Sequence, residues 1–173
     1  MLRGIAIVTE VALTPIIGNT LFRLAIWDES GLIRLANGLG ADLPLPCRSC
    51  TLDDVRLLWL EADHWLISCA SELSSDVKRR FAALVGDAGT IVEVSAALVG
   101  RRLSGPGWRE FLMIGGVFDV EDIAFSTGSV ARTVMHHSAL LLDVVTADQC
   151  DVYVPASYSA EFFAFWDSAP VIP

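Results

Sequence analysis

Apolar and polar residues group along the chain into segments whose periods name the elements. Thr20–Trp27 carries Leu21, Phe22, Leu24, Ile26 and Trp27 in one short run and reads as a strand. Leu32, Leu35, Ala36 and Leu39 follow at helical spacing, with Asp28 or Ser30 placed to cap the start and Gly38 and Gly40 to end it. The stretch from Asp42 to Asp54 holds Pro44 and Pro46 and reads as a loop. Arg56–Leu60 and His64–Cys69 are apolar runs joined across Glu61, Ala62 and Asp63, the pattern of a hairpin. Val77, Phe81, Leu84 and Val85 recur at i, i+4, i+7 and i+8 behind Ser74 or Ser75 as N-cap, and predict a second amphipathic helix. Thr90–Val94 closes this half as a strand.

The theme then repeats. Leu98–Leu103 predicts a strand that carries Arg101 and Arg102 near its end. Ser104-Gly105-Pro106 turns into a helix, where Pro106 suits the first position because its missing N–H would be unpaired there anyway. Trp108, Phe111 and Leu112 form that helix's buried stripe, and Gly115-Gly116 ends it. Val130–Met135, Ala139–Val145 and Cys150–Val154 read as successive strands. The last helix begins near Ser157 and buries Tyr158, Phe162, Phe165 and Trp166. The expected fold is α+β: two pseudo-repeated βαββαβ-like halves, about residues 20–95 and 96–167, with helices on one face of mostly antiparallel sheets. No linker or low-complexity tract separates them, and 173 residues suit a single domain spanning 1–173.

Composition narrows the function classes. Hydrophobic residues make up 53% and charged residues 19%, against a usual ~45–50% and ~25%, which excludes a disordered chain and leaves apolar surface to spare. A formal charge of −9 weighs against nucleic acid, whose phosphates require a basic footprint. Lys78 is the only lysine, so no polybasic lipid-binding patch forms. The apolar opening Met1–Val8 is followed by Glu10 and lacks a small-residue cleavage pattern, and no stretch reaches the ~20 apolar residues of a membrane span; a soluble cytoplasmic protein is expected.

Candidate chemistry is sparse. Cys47-Arg48-Ser49-Cys50 is formally a C-x-x-C, but it follows Pro44-Leu45-Pro46 in a loop, opens no helix and lacks a second ligand pair; it reads as a coincidence of spacing. Cys69 and Cys150 read as small core residues. His136-His137, taken as neighbours in a strand, would point to opposite faces and could not chelate one ion. His64 sits beside a turn and reads as a solvated or hydrogen-bonded imidazole. Ser104-Gly105-Pro106-Gly107 opens a helix without phosphate-loop spacing or a nearby lysine, so it reads as a capping turn. Asp119, Glu121 and Asp122 read as a solvated acidic loop. No nucleophile, base and orienting group can be assembled, and no catalytic, cofactor-binding or metal-binding residue is assigned. Arg101, Arg102 and Arg132 are the candidate partner contacts, able to pair carboxylates of this chain or of another.

Three segments, in order and spacing, resemble one family. They are Trp59–Ile67; Val92-Glu93-Val94-Ser95 with Arg102-Leu103-Ser104-Gly105-Pro106-Gly107; and Val130-Ala131-Arg132-Thr133 with Asp151–Tyr158. The family is the gamma subunit of bacterial heterotetrameric sarcosine oxidase, similar in turn to the folate-binding fold of aminomethyltransferases, and the resemblance runs from about Trp27 to Trp166. Glu93 departs from the family's usual aspartate, Glu61-Ala62 from Gly-Pro, His64 from Glu, and Gly116-Val117 from Cys-Pro, whereas Asp63, Trp65 and Asp119 match. These departures bear on the particular enzyme more than on the fold.

The resemblance implies an aminomethyltransferase folate-binding-domain-like fold and a place in a complex that oxidatively demethylates sarcosine to glycine, with tetrahydrofolate as one-carbon acceptor. It further implies alpha, beta and delta partner subunits, chiefly alpha. FAD, FMN, NAD, tetrahydrofolate and zinc are then expected in those partners and none in this chain, whose role is assembly rather than catalysis. The apolar surplus suits a subunit interface, where obligate contacts resemble a divided core. The alternative is a free-standing folate-binding or aminomethyltransferase-like module.

Overall fold

The computed structural model describes residues 8–9, 11–114, 119–168 and 171–172. The first strands among the described residues are two short ones, β1 (Val8–Thr9) and β2 (Ala12–Pro15). The chain divides into two compact units, one of residues 17–97 and one of residues 1–16 with 98–173.

The unit of residues 17–97 runs β3 (Asn19–Ile26), α1 (Glu29–Leu39), β4 (Ser49–Leu52), β5 (Val55–Glu61), β6 (His64–Ala70), α2 (Ser74–Val85) and β7 (Gly89–Glu93). Its sheet has the order β4-β5-β6-β3-β7, antiparallel throughout. Strand alternation sends Phe22, Leu24, Ile26, Leu57 and Ile67 to one face, where they bury against Leu35 of α1 and Phe81 of α2. The start of α1 is set by Asp28, whose carboxylate accepts from the Gly31 N–H at 2.9 Å and the Ser30 hydroxyl at 2.6 Å. These two bonds hold the Asp28 carboxyl below its ordinary range. Gly40 ends the helix at φ 68°, a left-handed conformation that glycine adopts without strain. In α2 the expected cap is absent. Ser74 is already helical, and its hydroxyl donates to the Ser71 carbonyl at 2.7 Å from a 3₁₀ turn that leads in.

The other unit continues with β8 (Leu98–Ser104), α3 (Trp108–Leu112), β9 (Val130–Met135), β10 (Ser138–Thr146), β11 (Gln149–Pro155), α4 (Ala156–Asp167) and β12 (Val171–Ile172). Its sheet has the order β2-β8-β11-β10-β9, again antiparallel, and β1 pairs with β12 in a separate parallel ribbon. Leu103, Leu142 and Val152 bury against Trp108 and Phe111 of α3 and Phe162 and Trp166 of α4. Each unit therefore stacks two helices on one face of a five-stranded sheet, the α+β arrangement expected from the duplicated pattern. α3 ends at Leu112 with Met113 as its C-cap, short of the expected stop at Gly115-Gly116, which lies outside the described residues.

Three expectations change. The 42–54 loop contains β4, because Asp53, at φ 52°, makes a two-residue turn that folds Ser49–Leu52 back onto β5. The fifth strand of the second sheet is β2, which comes from the N-terminal segment and lies on β8. In α4, Tyr158 is exposed, and Phe163 joins Phe162 and Trp166 in the core while Phe165 is half-buried.

Candidate functional site

The three arginines singled out by sequence occupy three different environments. Along β8 successive side chains alternate faces, so Arg101 points to the helix side and Arg102 to the opposite side. The Arg101 guanidinium donates to both carboxylate oxygens of Asp167, at 2.5 and 3.2 Å, and lies 4.3 Å over the Phe163 ring. It thereby ties the end of α4 to the sheet. Arg102 donates to both oxygens of Asp151 on neighbouring β11, at 2.6 and 2.8 Å. Asp151 is only 4% exposed, and its register partner on β10 is Asp143, at 1% exposed. One row across the sheet thus reads Asp143, Asp151, Arg102, on the face away from α3 and α4. The hydrogen bonds that Arg102 donates to Asp151, and behind them the negative field of the row, raise its affinity for its proton. Arg101 and Arg102 are therefore committed to carboxylates of this chain. Arg132 lies exposed on β9 and joins no acidic side chain among the described residues.

The Arg101–Asp167 pair makes a pH prediction with a definite sign. The hydrogen bonds from Arg101 hold the Asp167 carboxyl below its ordinary 3.8, against a small opposing effect of burial. A depressed carboxyl contributes stability above its unfolded value and loses it as pH falls through the folded one. Asp167 is 58% exposed, so solvent screening limits the effect to about 0.2–1 kcal/mol. Urea unfolding is expected to show Asp167→Asn less stable than the unaltered chain at pH 7, with the gap closing as pH drops below 3.8. A gap that persists unchanged into that acid range would show that the ion pair is not its source.

The remaining candidates hold the fold together. Cys47 sits exposed in a turn at φ 60°, while Cys50 pairs in β4, so the C-x-x-C spans a loop-to-strand junction and opens no helix. Burial pushes the Cys50, Cys69 and Cys150 thiols up, Cys150 furthest, which disfavours the thiolate that nucleophilic or metal-binding chemistry uses. Among the described residues no group of three or more His, Cys, Asp and Glu side chains could hold a metal ion. His64 keeps Nδ1 at 2.9 Å from the Ala62 carbonyl, which it meets by donating, and 3.8 Å from the Glu61 carboxylate, itself bonded to Arg23 at 2.7 Å.

His136 and His137 correct a reading. They are not strand residues on opposite faces but the two-residue tip of the β9–β10 hairpin, both at positive φ. Their rings stand 5.8 Å apart, and His136 stacks flat on Phe165 at 4.2 Å. Asp119 and Asp122 accept from the backbone N–H groups of Glu121 and Ala124, which makes the acidic loop a pair of local turns. Sequence reasoning passed over Arg109, which lies 4.2 Å over the Trp108 ring and donates to the carbonyls of Val120 and Phe125, pinning that loop to α3. It also passed over Val134, a large apolar side chain left 50% exposed on the outer strand beside Arg132. Among the described residues no helix is long and apolar enough to cross a membrane.

No curated protein sequence matches the chain. Among solved structures it is similar to a chain of the heterotetrameric sarcosine oxidase from Corynebacterium sp. U-96, with a TM-score of 0.77 and 18% identity over 94% of this chain and 88% of that one. It is also similar to the glycine cleavage system aminomethyltransferase T from Bartonella henselae, with a TM-score of 0.69 and 12% identity over 92% of this chain but only 46% of that one. At these identities the likeness shows the fold. The sequence pattern of the sarcosine oxidase gamma subunit family spans residues 28–171, from the cap of α1 to β12, and the chain belongs to that family.

Proposed function

We propose that this chain is a non-catalytic assembly subunit of a cytoplasmic heterotetrameric sarcosine oxidase, which demethylates sarcosine to glycine and passes the one-carbon unit to tetrahydrofolate. Its membership of the gamma subunit family over residues 28–171 carries the reading. The chemistry of its polar groups supports it, since Arg101, Arg102, Arg109 and His64 each bond within the chain to hold an element in place. Exposed apolar residues such as Trp27, Ile33, Val92 and Val134 give both units surface for other chains to cover. In this reading alpha, beta and delta subunits, chiefly alpha, are the partners, and FAD, FMN, NAD, tetrahydrofolate and zinc reside in them.

The fold it shares with aminomethyltransferase T favours a second reading, a free-standing folate-binding module. A surface depression of about 420 Å³ between the β4–β5 turn and α2 offers this reading little support. Asp53, Asp54 and Asp76 line it, and its Arg79 and Arg80 are paired to Asp76 and Asp53, so it repels the glutamate carboxylates of a folate.

Co-expression with the large subunits decides between the two. The chain is expected to co-purify with flavin-bearing subunits through gel filtration, while titration calorimetry of the chain alone with tetrahydrofolate registers no binding. Micromolar binding of tetrahydrofolate by the isolated chain, or turnover of sarcosine by it alone, would overturn the assembly reading.

A further inference from the structure

β9 forms one outer edge of its sheet, and β10 is the only described strand beside it. Because His136 and His137 make a two-residue turn, Met135 and Ser138 close the hairpin as a pair that exchanges both backbone hydrogen bonds. The alternation of an antiparallel ladder then directs the backbone groups of Thr133 and Ala131 toward β10. Those of Val134 and Arg132 face outward. Among the described residues these outward N–H and C=O groups meet no backbone partner. The same two residues carry the exposed side chains of the strand, Val134 at 50%.

Soluble proteins blunt open edges with short strands, proline, lysine or bulges. The other outer strands follow this rule in part: β2 has four residues and ends at Pro15, β4 has four, and β7 has five and ends at Glu93. β9 has six, Val-Ala-Arg-Thr-Val-Met, in unbroken register with β10 and without proline or lysine. Its one charge, Arg132, has no acidic partner among the described residues of a chain of formal charge −9. Arg23, Arg79, Arg80, Arg101 and Arg102 each have one. A second copy is a poor occupant, because two-fold pairing of β9 with itself about its centre sets one Arg132 opposite or beside the other, and like charges across strands repel.

We infer that β9 accepts an extended segment of a partner subunit as a sixth strand, bonded to the outward backbone of Arg132 and Val134, with a carboxylate of that segment facing Arg132. Backbone pairing supplies the affinity, and the Arg132 charge with the Val134 side chain sets the register. This inference rests on the assembly reading and adds the mode of docking.

The test uses the chain co-expressed with its partner subunits. Hydrogen–deuterium exchange of the peptide covering 130–135 is expected to slow about tenfold or more between the isolated chain and the complex, as outward amides gain acceptors. Val134→Pro removes one outward N–H while leaving the bonds to β10, a change that an edge strand tolerates. It is expected to weaken retention of the chain on a tagged partner about tenfold, as is Arg132→Glu, with unchanged thermal melting of the chain itself. Should Val134→Pro fail to fold, the exchange measurement on the unaltered complex decides. A complex that assembles while residues 130–135 exchange as in the isolated chain overturns the edge inference alone. Failure of the unaltered chain to bind any subunit overturns the assembly reading and this inference with it.

Discussion

Replacing Arg102 with methionine is expected to cost about 3 kcal/mol of folding stability. The residue makes both hydrogen bonds to the Asp151 carboxylate, which is almost wholly inside and faces the equally buried Asp143 across the β10–β11 ladder. Removing the guanidinium leaves one buried charge without its counter-ion and a second carboxyl directly opposite. Fully buried pairs broken in this way cost about 3–5 kcal/mol, and the 38% exposure of Arg102 places this one at the lower end. The control is the double variant Arg102→Met with Asp151→Leu, which removes the stranded charge and is expected to recover most of the loss in urea unfolding at pH 7. If both variants lose equally, the arginine stem acts by packing over the sheet, and the ion pair is not what holds β8 to β11.

This pair also marks where sequence stops being legible. The α1 cap at Asp28, the Gly40 stop, the β5–β6 hairpin and the buried stripe of α3 follow from rules that act within a few residues, and they read directly from the chain. The choice of Asp151 by Arg102 and of Asp167 by Arg101 depends on register between segments 49 and 66 residues apart, which alternation alone does not supply. β2 and β4 were hidden for a related reason. Each has four residues, lies at a sheet edge, and gains its strand character from a neighbour; for β2 that neighbour is some ninety residues away. The His136-His137 tip lacks the Asn or Gly that signals a two-residue hairpin, so its positive φ values had no sequence marker. In α4 the apolar residues Tyr158, Phe162, Phe163, Phe165 and Trp166 surround most of the helix, and periodicity could not rank Phe163 above Tyr158.

The candidate site divides along the same line. Arg132 could be named as a partner contact from composition, but its significance comes from the hairpin that turns its backbone outward, a consequence of the pairing phase set at the His136-His137 turn. Family membership supports the proposed assembly role, and the open edge offers a place for it to act. Neither follows from the other.

At Trp166 two substitutions are expected to separate widely. The side chain is 1% exposed and packs among Phe111, Phe162 and Phe163, with ring centroids 5.3, 4.7 and 5.8 Å away. Truncation to alanine empties the centre of this aromatic cluster beneath α4, and is expected to cost about 3–5 kcal/mol. The indole N–H, however, is buried and meets no acceptor among the described residues, a group that ordinarily costs about 1–3 kcal/mol to keep dry. Trp166→Phe removes that donor while keeping an aromatic ring against Phe111 and Phe162, so the cavity it opens and the relief of the donor oppose each other. Its net effect in urea unfolding is expected to stay within about 1.5 kcal/mol of the unaltered chain, well short of the alanine variant. Equal losses for phenylalanine and alanine would mean that the indole N–H is bonded to a buried water and contributes to the core.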